Sequence, residues 1–275
     1  MNIFLKDIEH ILTPFATFEQ VAAIAVGGSI AAGTGDMDSD VDIYIYSQEG
    51  IPRNLRLEIA NALGRDIQVD NRLWEPGDEW TDIITGKAID IIYRRPQWMI
   101  DEIRRVLVDF EPRLGYTTTI WDNLLYSTVA YDPTGWYEEL KQTAVVPYPE
   151  ELQKRIIRHN YRAIQGIRGS ILHQLQVAVR RGDAVSVNHR IGALLECYFD
   201  ILFAANRVTN PGEKMITEHI KKRCKSTPGD CLAGVARLIS SISWMSGNIL
   251  DEAGTLLGEM DRFLRELELL PGKDF

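Results

Sequence analysis

The chain is poor in the features that would tie it to a membrane, an oxidising compartment or a polyanion. Only three of its 275 residues are cysteine, Cys197, Cys224 and Cys231, with no CxxC pair and no His/Cys ligand spacing. That excludes a disulfide framework and argues against structural zinc, so the three read as reduced thiols of a cytosolic, cytoplasmic protein. No uncharged apolar run approaches the ~20 residues of a bilayer span. The amphipathic start, with Lys6, Asp7, Glu9 and His10, lacks the basic head and apolar run of a secretory signal. A basic surplus is missing too: 30 Lys and Arg stand against 39 Asp and Glu, for a formal net charge of −9. A grip on long nucleic acid works by displacing counterions and normally shows the opposite balance. Neither extended nucleic acid nor a membrane is therefore expected as a partner. The five histidines form no cluster, and no Ser/His/Asp or Cys/His constellation stands out.

What is present is ordinary globular composition, 45% hydrophobic and 25% charged, at a length that allows two cores. Two textures divide it. Up to about residue 115, short β-like runs alternate with short helices. Val21 to Val26 is apolar and ends in Gly27-Gly28, the pattern of a buried strand closed by a tight turn. Asp40 to Tyr46 alternates, with Val41, Ile43 and Ile45 on one face and Asp40, Asp42, Tyr44 and Tyr46 on the other. Arg53 to Leu63 has helical period, Asp66 to Val69 and Ala88 to Tyr93 read as strands, and Pro96 opens a helix to about Phe110. Beyond Thr117 the β-like runs nearly vanish. One long helix is expected from Tyr148-Pro149-Glu150 to Gly182, a second over Val185 to Ala205, and three shorter ones to Leu270. The fold class this implies is α+β, a mixed β-sheet flanked by helices (1–115) followed by an α-helical bundle (116–275).

The chemistry lies between Val26 and Ile43. Two glycines at a strand end, followed by Ser29 at the start of a short helix, offer unobstructed backbone N–H groups and a hydroxyl to phosphate oxygens. Asp40 and Asp42 share a strand face about 7 Å apart, close enough to repel unless solvated, hydrogen-bonded or bridged by a cation. Mg²⁺ takes such oxygen ligands and completes its shell with substrate phosphate and water. Asp90 is a third carboxylate inside an otherwise apolar strand, where a charge is rarely left without a partner. If that strand lies beside Asp40 to Tyr46, the three converge next to the glycine turn, as a two-metal in-line displacement requires. Singly, each element has a plainer reading: a turn, a solvated strand face, an edge-strand charge. In this order they point to chemistry.

The segment resembles the signature of the DNA polymerase β superfamily of nucleotidyltransferases: a hydrophobic residue, Gly, Gly or Ser, then some ten residues on an Asp-hydrophobic-Asp pair. Gly28, Ser29, Asp40 and Asp42 match it, and Asp90 matches the later acid between apolar residues. The spacing is similar to that of aminoglycoside and lincosamide nucleotidyltransferases, in which a helical domain follows the catalytic one. The resemblance implies that Asp40, Asp42 and Asp90 are catalytic and hold Mg²⁺, with Asp90 as metal ligand or general base. It implies that Gly28 and Ser29 bind the triphosphate of an NTP, expected to be ATP. It also suggests Lys214 of the helical half for the nucleotide phosphates, a surface lysine being the alternative. A cleft between the halves would hold the NTP and a hydroxyl-bearing small molecule. A protein acceptor and an inactive nucleotide-binding module remain open. Arg94 and Arg95 read as a solvated pair outside the site. Trp74, Trp80, Trp98, Trp121 and Trp136 could stack on a base, though core packing is the better default.

Overall fold

The computed structural model describes residues 3–28, 40–73, 75–242 and 247–272. Six strands form one mixed sheet in the order β3-β4-β5-β2-β1-β6: β1 Val21–Val26, β2 Val41–Ser47, β3 Gly64–Asn71, β4 Gly77–Asp82, β5 Ala88–Arg94 and β6 Thr128–Tyr131. Only β2 and β5 run parallel; the other neighbours are antiparallel. Alternation along β2 sets the layers. Val41, Ile43 and Ile45 join Ile24, Val26, Ile89 and Ile91 in a buried cluster, capped by Ile8, Ile11, Leu12 and Phe15 from the N-terminal helices. The helix Arg53–Leu63 adds Ala60 to the same layer. The opposite face of β2 is not uniformly wet, because Tyr44 and Tyr46 are buried alongside a half-buried Asp42.

β4 falls in a stretch whose sequence, Gly-Asp-Glu-Trp-Thr-Asp, gives no strand signal. It forms because its two core-facing acids are fully satisfied. Asp78, wholly buried, accepts from Arg56 Nη1 at 2.5 Å, the Asp70 N–H at 2.9 Å and the Tyr93 hydroxyl at 2.6 Å. Asp82 accepts from the Thr85 N–H and hydroxyl, each at 2.7 Å, and lies 2.9 Å from His10 Nε2.

The chain divides into two compact units, but not at one point: residues 1–104 with 123–146 form the first, and 105–122 with 147–275 the second. Residues 123–146 belong with the sheet because β6 pairs along β1, Ala25 opposite Val129 and Val26 opposite Thr128. The helix Trp136–Thr143 follows, setting the Tyr137 ring 5.1 Å from that of Tyr46. The second unit is helical. The expected single helix up to Gly182 is instead two, Glu150–Tyr161 and Ile171–Arg181. A π-helical turn, Arg162–Gly166, and an extended Ile167 separate them. Gly166 and Gly169 are the sequence's reason, since glycine weakens a helix interior, and Ser170 caps the new start. Ala184–Ala205 is the central helix, followed by Ile216–Arg223, Cys231–Ile242 and Ile249–Glu266. Its Asp200 is buried and takes hydrogen bonds from the Thr117 N–H and hydroxyl, Asn160 and Asn210. Among the described residues no helix is long and apolar enough to cross a membrane.

Candidate functional site

The site begins where β1 ends. The Gly27 N–H donates to the Asp42 carbonyl at 2.9 Å, which brings the chain leaving β1 alongside the start of β2. Gly28 has φ +68°, and a Cβ built on it would stand 1.7 Å from Asp42 Oδ2. Another residue there would be strained: the left-handed backbone favours glycine, and the carboxylate would have to move out of the space of a side chain. The Asp42 carboxylate is thus packed onto the glycine turn.

Across the sheet the acids fall in register. Asp42 pairs with Asp90 on parallel β5, and Asp90 pairs with Glu79 on antiparallel β4. Residues directly opposite one another share a face, so these three side chains form a row over three strands. Asp40, two residues before Asp42, and Asp90 border the same open cavity of about 320 Å³, together with Asp66, Gln68, Glu79 and Thr81. Like charges placed directly opposite destabilise a sheet unless neighbouring groups, solvent or a cation compensate them. The donors are hard carboxylate oxygens, the kind Mg²⁺ takes, so in chemistry the residues present suit a divalent cation. Among the described residues no group of three or more His, Cys, Asp or Glu side chains is arranged to hold a metal ion.

Of the residues expected from sequence, Gly28 lies against Asp42, Asp42 stands in register with Asp90, and Asp40 and Asp90 line one cavity. Ser29 lies outside the described residues, as does Trp74. Lys214 belongs to the helical unit, exposed in the turn before Ile216–Arg223. Two residues were not foreseen. Glu79 sits on the strand that gave no signal, with Oε1 taking a hydrogen bond from Asn71 Nδ2 at 2.8 Å. Arg94 corrects the reading of a solvated arginine pair. Its side chain is only 6% exposed, with Nε and Nη2 donating to Glu75 at 2.9 and 2.6 Å. Its guanidinium carbon lies 4.6 Å from the ring centres of both Tyr44 and Trp98. Burial opposes the Arg94 charge, but the Glu75 hydrogen bonds and nearby groups outweigh it and hold its pKa above the usual arginine value. Tyr44 accepts from Asn123 Nδ2 at 2.9 Å; burial first, then the Asp42 charge, keeps its hydroxyl protonated far above the ordinary range. Trp80 and Trp121 are core residues, each 2% exposed, and Trp136 packs edge-on against Tyr46.

A mixed sheet with a glycine turn after its first strand and carboxylates aligned over the next defines an α+β domain. In agreement, residues 8–112 match the family described as "Nucleotidyltransferase domain". The match covers well under half of the chain and is to the domain family as a whole. It gives no support to the narrower likeness to aminoglycoside enzymes. No curated protein matches the chain. Among solved structures, the chain aligns with a nucleotidyltransferase-like protein from Exiguobacterium sibiricum 255-15. That alignment has 9% identity and a TM-score of 0.44, over 98% of this chain and 77% of the other.

Proposed function

We propose that the protein transfers a nucleoside monophosphate from an NTP to a hydroxyl of a small-molecule acceptor, releasing pyrophosphate. One observation carries this reading. The Asp42 carboxylate rests on the Cα of a positive-φ glycine while standing in register with Asp90 on the neighbouring parallel strand. In the proposed mechanism the turn at Gly27-Gly28, with Ser29, holds the triphosphate through backbone N–H groups. Asp40, Asp42 and Asp90 would hold Mg²⁺, which when bound supplies charge stabilisation to the phosphoryl oxygens. Asp90 has the further proposed role of orienting the acceptor hydroxyl or taking its proton. Lys214 is proposed for the nucleotide phosphates on the resemblance alone. Catalysis of this kind rests on positioning and electrostatics, with no covalent enzyme intermediate. The acidic balance of the chain favours a small acceptor over a polyanionic one.

The alternative is a module that binds nucleotide without turnover. Labelled NTPs, ATP first, offered with Mg²⁺ and a panel of small-molecule, protein and RNA acceptors separate the two. Transfer by the parent chain, lost at least ~1000-fold in Asp42→Asn with unchanged thermal unfolding, is expected. Nucleotide binding with no pyrophosphate release on any acceptor supports the binding module instead.

A further inference from the structure

The residues matched by the nucleotidyltransferase signature leave unexplained what the glycine turn stands on. A Cβ built at Gly27 would lie 2.3 Å from Tyr44 Cε2 and 3.2 Å from both Tyr44 Cδ2 and Asn123 Nδ2. The backbone there is in direct contact with the edge of the Tyr44 ring. The ring, in turn, cannot yield. It is 6% exposed, its hydroxyl is tied to Asn123, and the Arg94 guanidinium covers it, itself pinned by Glu75 and Trp98. Tyr44 also lies two residues beyond Asp42 on the same strand face, so one rigid strand carries both the carboxylate under Gly28 and the ring under Gly27.

We propose that Tyr44 is a positioning residue of the nucleotide site: its ring is the floor on which Gly27 rests, and it sets the height of the phosphate-binding turn relative to the Asp42 carboxylate. Arg94, Glu75 and Trp98 act through it, as the clamp that stops the ring from turning. The role rests on the nucleotidyl-transfer reading, since it concerns how that site receives a triphosphate. It differs from ordinary core packing in a checkable way. A core tyrosine contributes stability alone, whereas a floor couples to the residue above it.

The test is a double-mutant cycle of Gly27→Ala and Tyr44→Leu on the full chain. It is read as the Kd for a nucleoside triphosphate with a non-hydrolysable α–β bridge plus Mg²⁺, and as the midpoint of thermal unfolding. Gly27→Ala drives a methyl into the ring and is expected to raise Kd roughly tenfold or more. Adding Tyr44→Leu removes the obstacle, so the double variant should bind more tightly than Gly27→Ala alone. Independent effects, or a Gly27→Ala chain that binds like the parent, overturn the proposal. If Gly27→Ala does not fold, position 44 decides. Tyr44→Phe keeps the ring and should bind within about twofold of the parent, whereas Tyr44→Leu should lose about tenfold. Equal binding by Phe and Leu overturns the role. Asp42→Asn in the same assay separates the two failures: if it and the parent both show no Mg²⁺-dependent binding, the nucleotide reading has failed. If the parent binds and Asp42→Asn does not, a flat cycle condemns Tyr44 alone.

Discussion

Gly28 shows how much one missing side chain decides. Its φ of +68° already disfavours other residues, and Asp42 Oδ2 fills the position where a Cβ would go. Gly28→Ala should cost about 1–3 kcal/mol of stability from backbone strain. It should also lower the proposed nucleotidyl transfer about 100-fold or more, because the carboxylate must move by an ångström or so. Thermal unfolding and initial rates on one preparation check both; an active, fully stable Gly28→Ala would mean that Asp42 is not held as described. A different residue-scale prediction concerns His219, only 6% exposed in the helix Ile216–Arg223. Burial first, then the charges of Arg223 and Lys222, hold its pKa below the ordinary histidine value. The unfolded chain therefore takes up a proton at this position near pH 6.5, which the folded chain declines until lower pH. Stability from this site is intact above that pH and is lost as pH falls below it. Urea midpoints at pH 7.5 and 5.5 should fall less in His219→Gln than in the parent, and equal falls would contradict the assignment.

At the scale of elements, the strands carrying the expected acids were legible and the one carrying the unexpected acid was not. β2 announces itself through alternation of Val41, Ile43 and Ile45 with polar neighbours, and β5 through its apolar flanks around Asp90. β4 has three acids in six residues, a composition that propensity assigns to a loop, and what overrides it is tertiary: Arg56 comes from a helix to pair with the Asp78 charge, and Tyr93 from β5 donates a hydrogen bond to it. Glu79, carried on that strand, was invisible for the same reason. Asp78→Asn should destabilise the chain by about 3–5 kcal/mol, the scale for removing one charge of a buried ion pair. Urea unfolding measures it, and a loss under ~1 kcal/mol would mean that β4 stands without this network. The helical unit repeats the lesson in reverse. Apolar period alone ran one helix from Glu150 to Gly182, while the glycines at 166 and 169 mark the place where backbone freedom wins.

At the scale of the whole molecule the difficulty was connectivity. Composition changes near residue 117, and a single boundary at 115 follows naturally from it. The chain nevertheless returns to the sheet for residues 123–146, because strand pairing is decided by which edge is open and not by local texture. Without β6 the backbone groups of β1 facing that side would be a bare edge. Tyr46 would lose the rings of Trp136 and Tyr137, at 5.6 and 5.1 Å, and Tyr44 would lose the Asn123 amide on its hydroxyl. All of this lies on the face that carries Asp42. A fragment of residues 1–115 is therefore expected to unfold without a cooperative transition and to lack the near-ultraviolet circular dichroism of packed aromatics. A fragment of residues 1–146 keeps all six strands and should retain both. The comparison is sharp because the two fragments share every residue of the glycine turn and the acid row. A cooperative 1–115 fragment would show that the sheet holds its aromatic face together unaided, and that β6 decorates the edge without completing it.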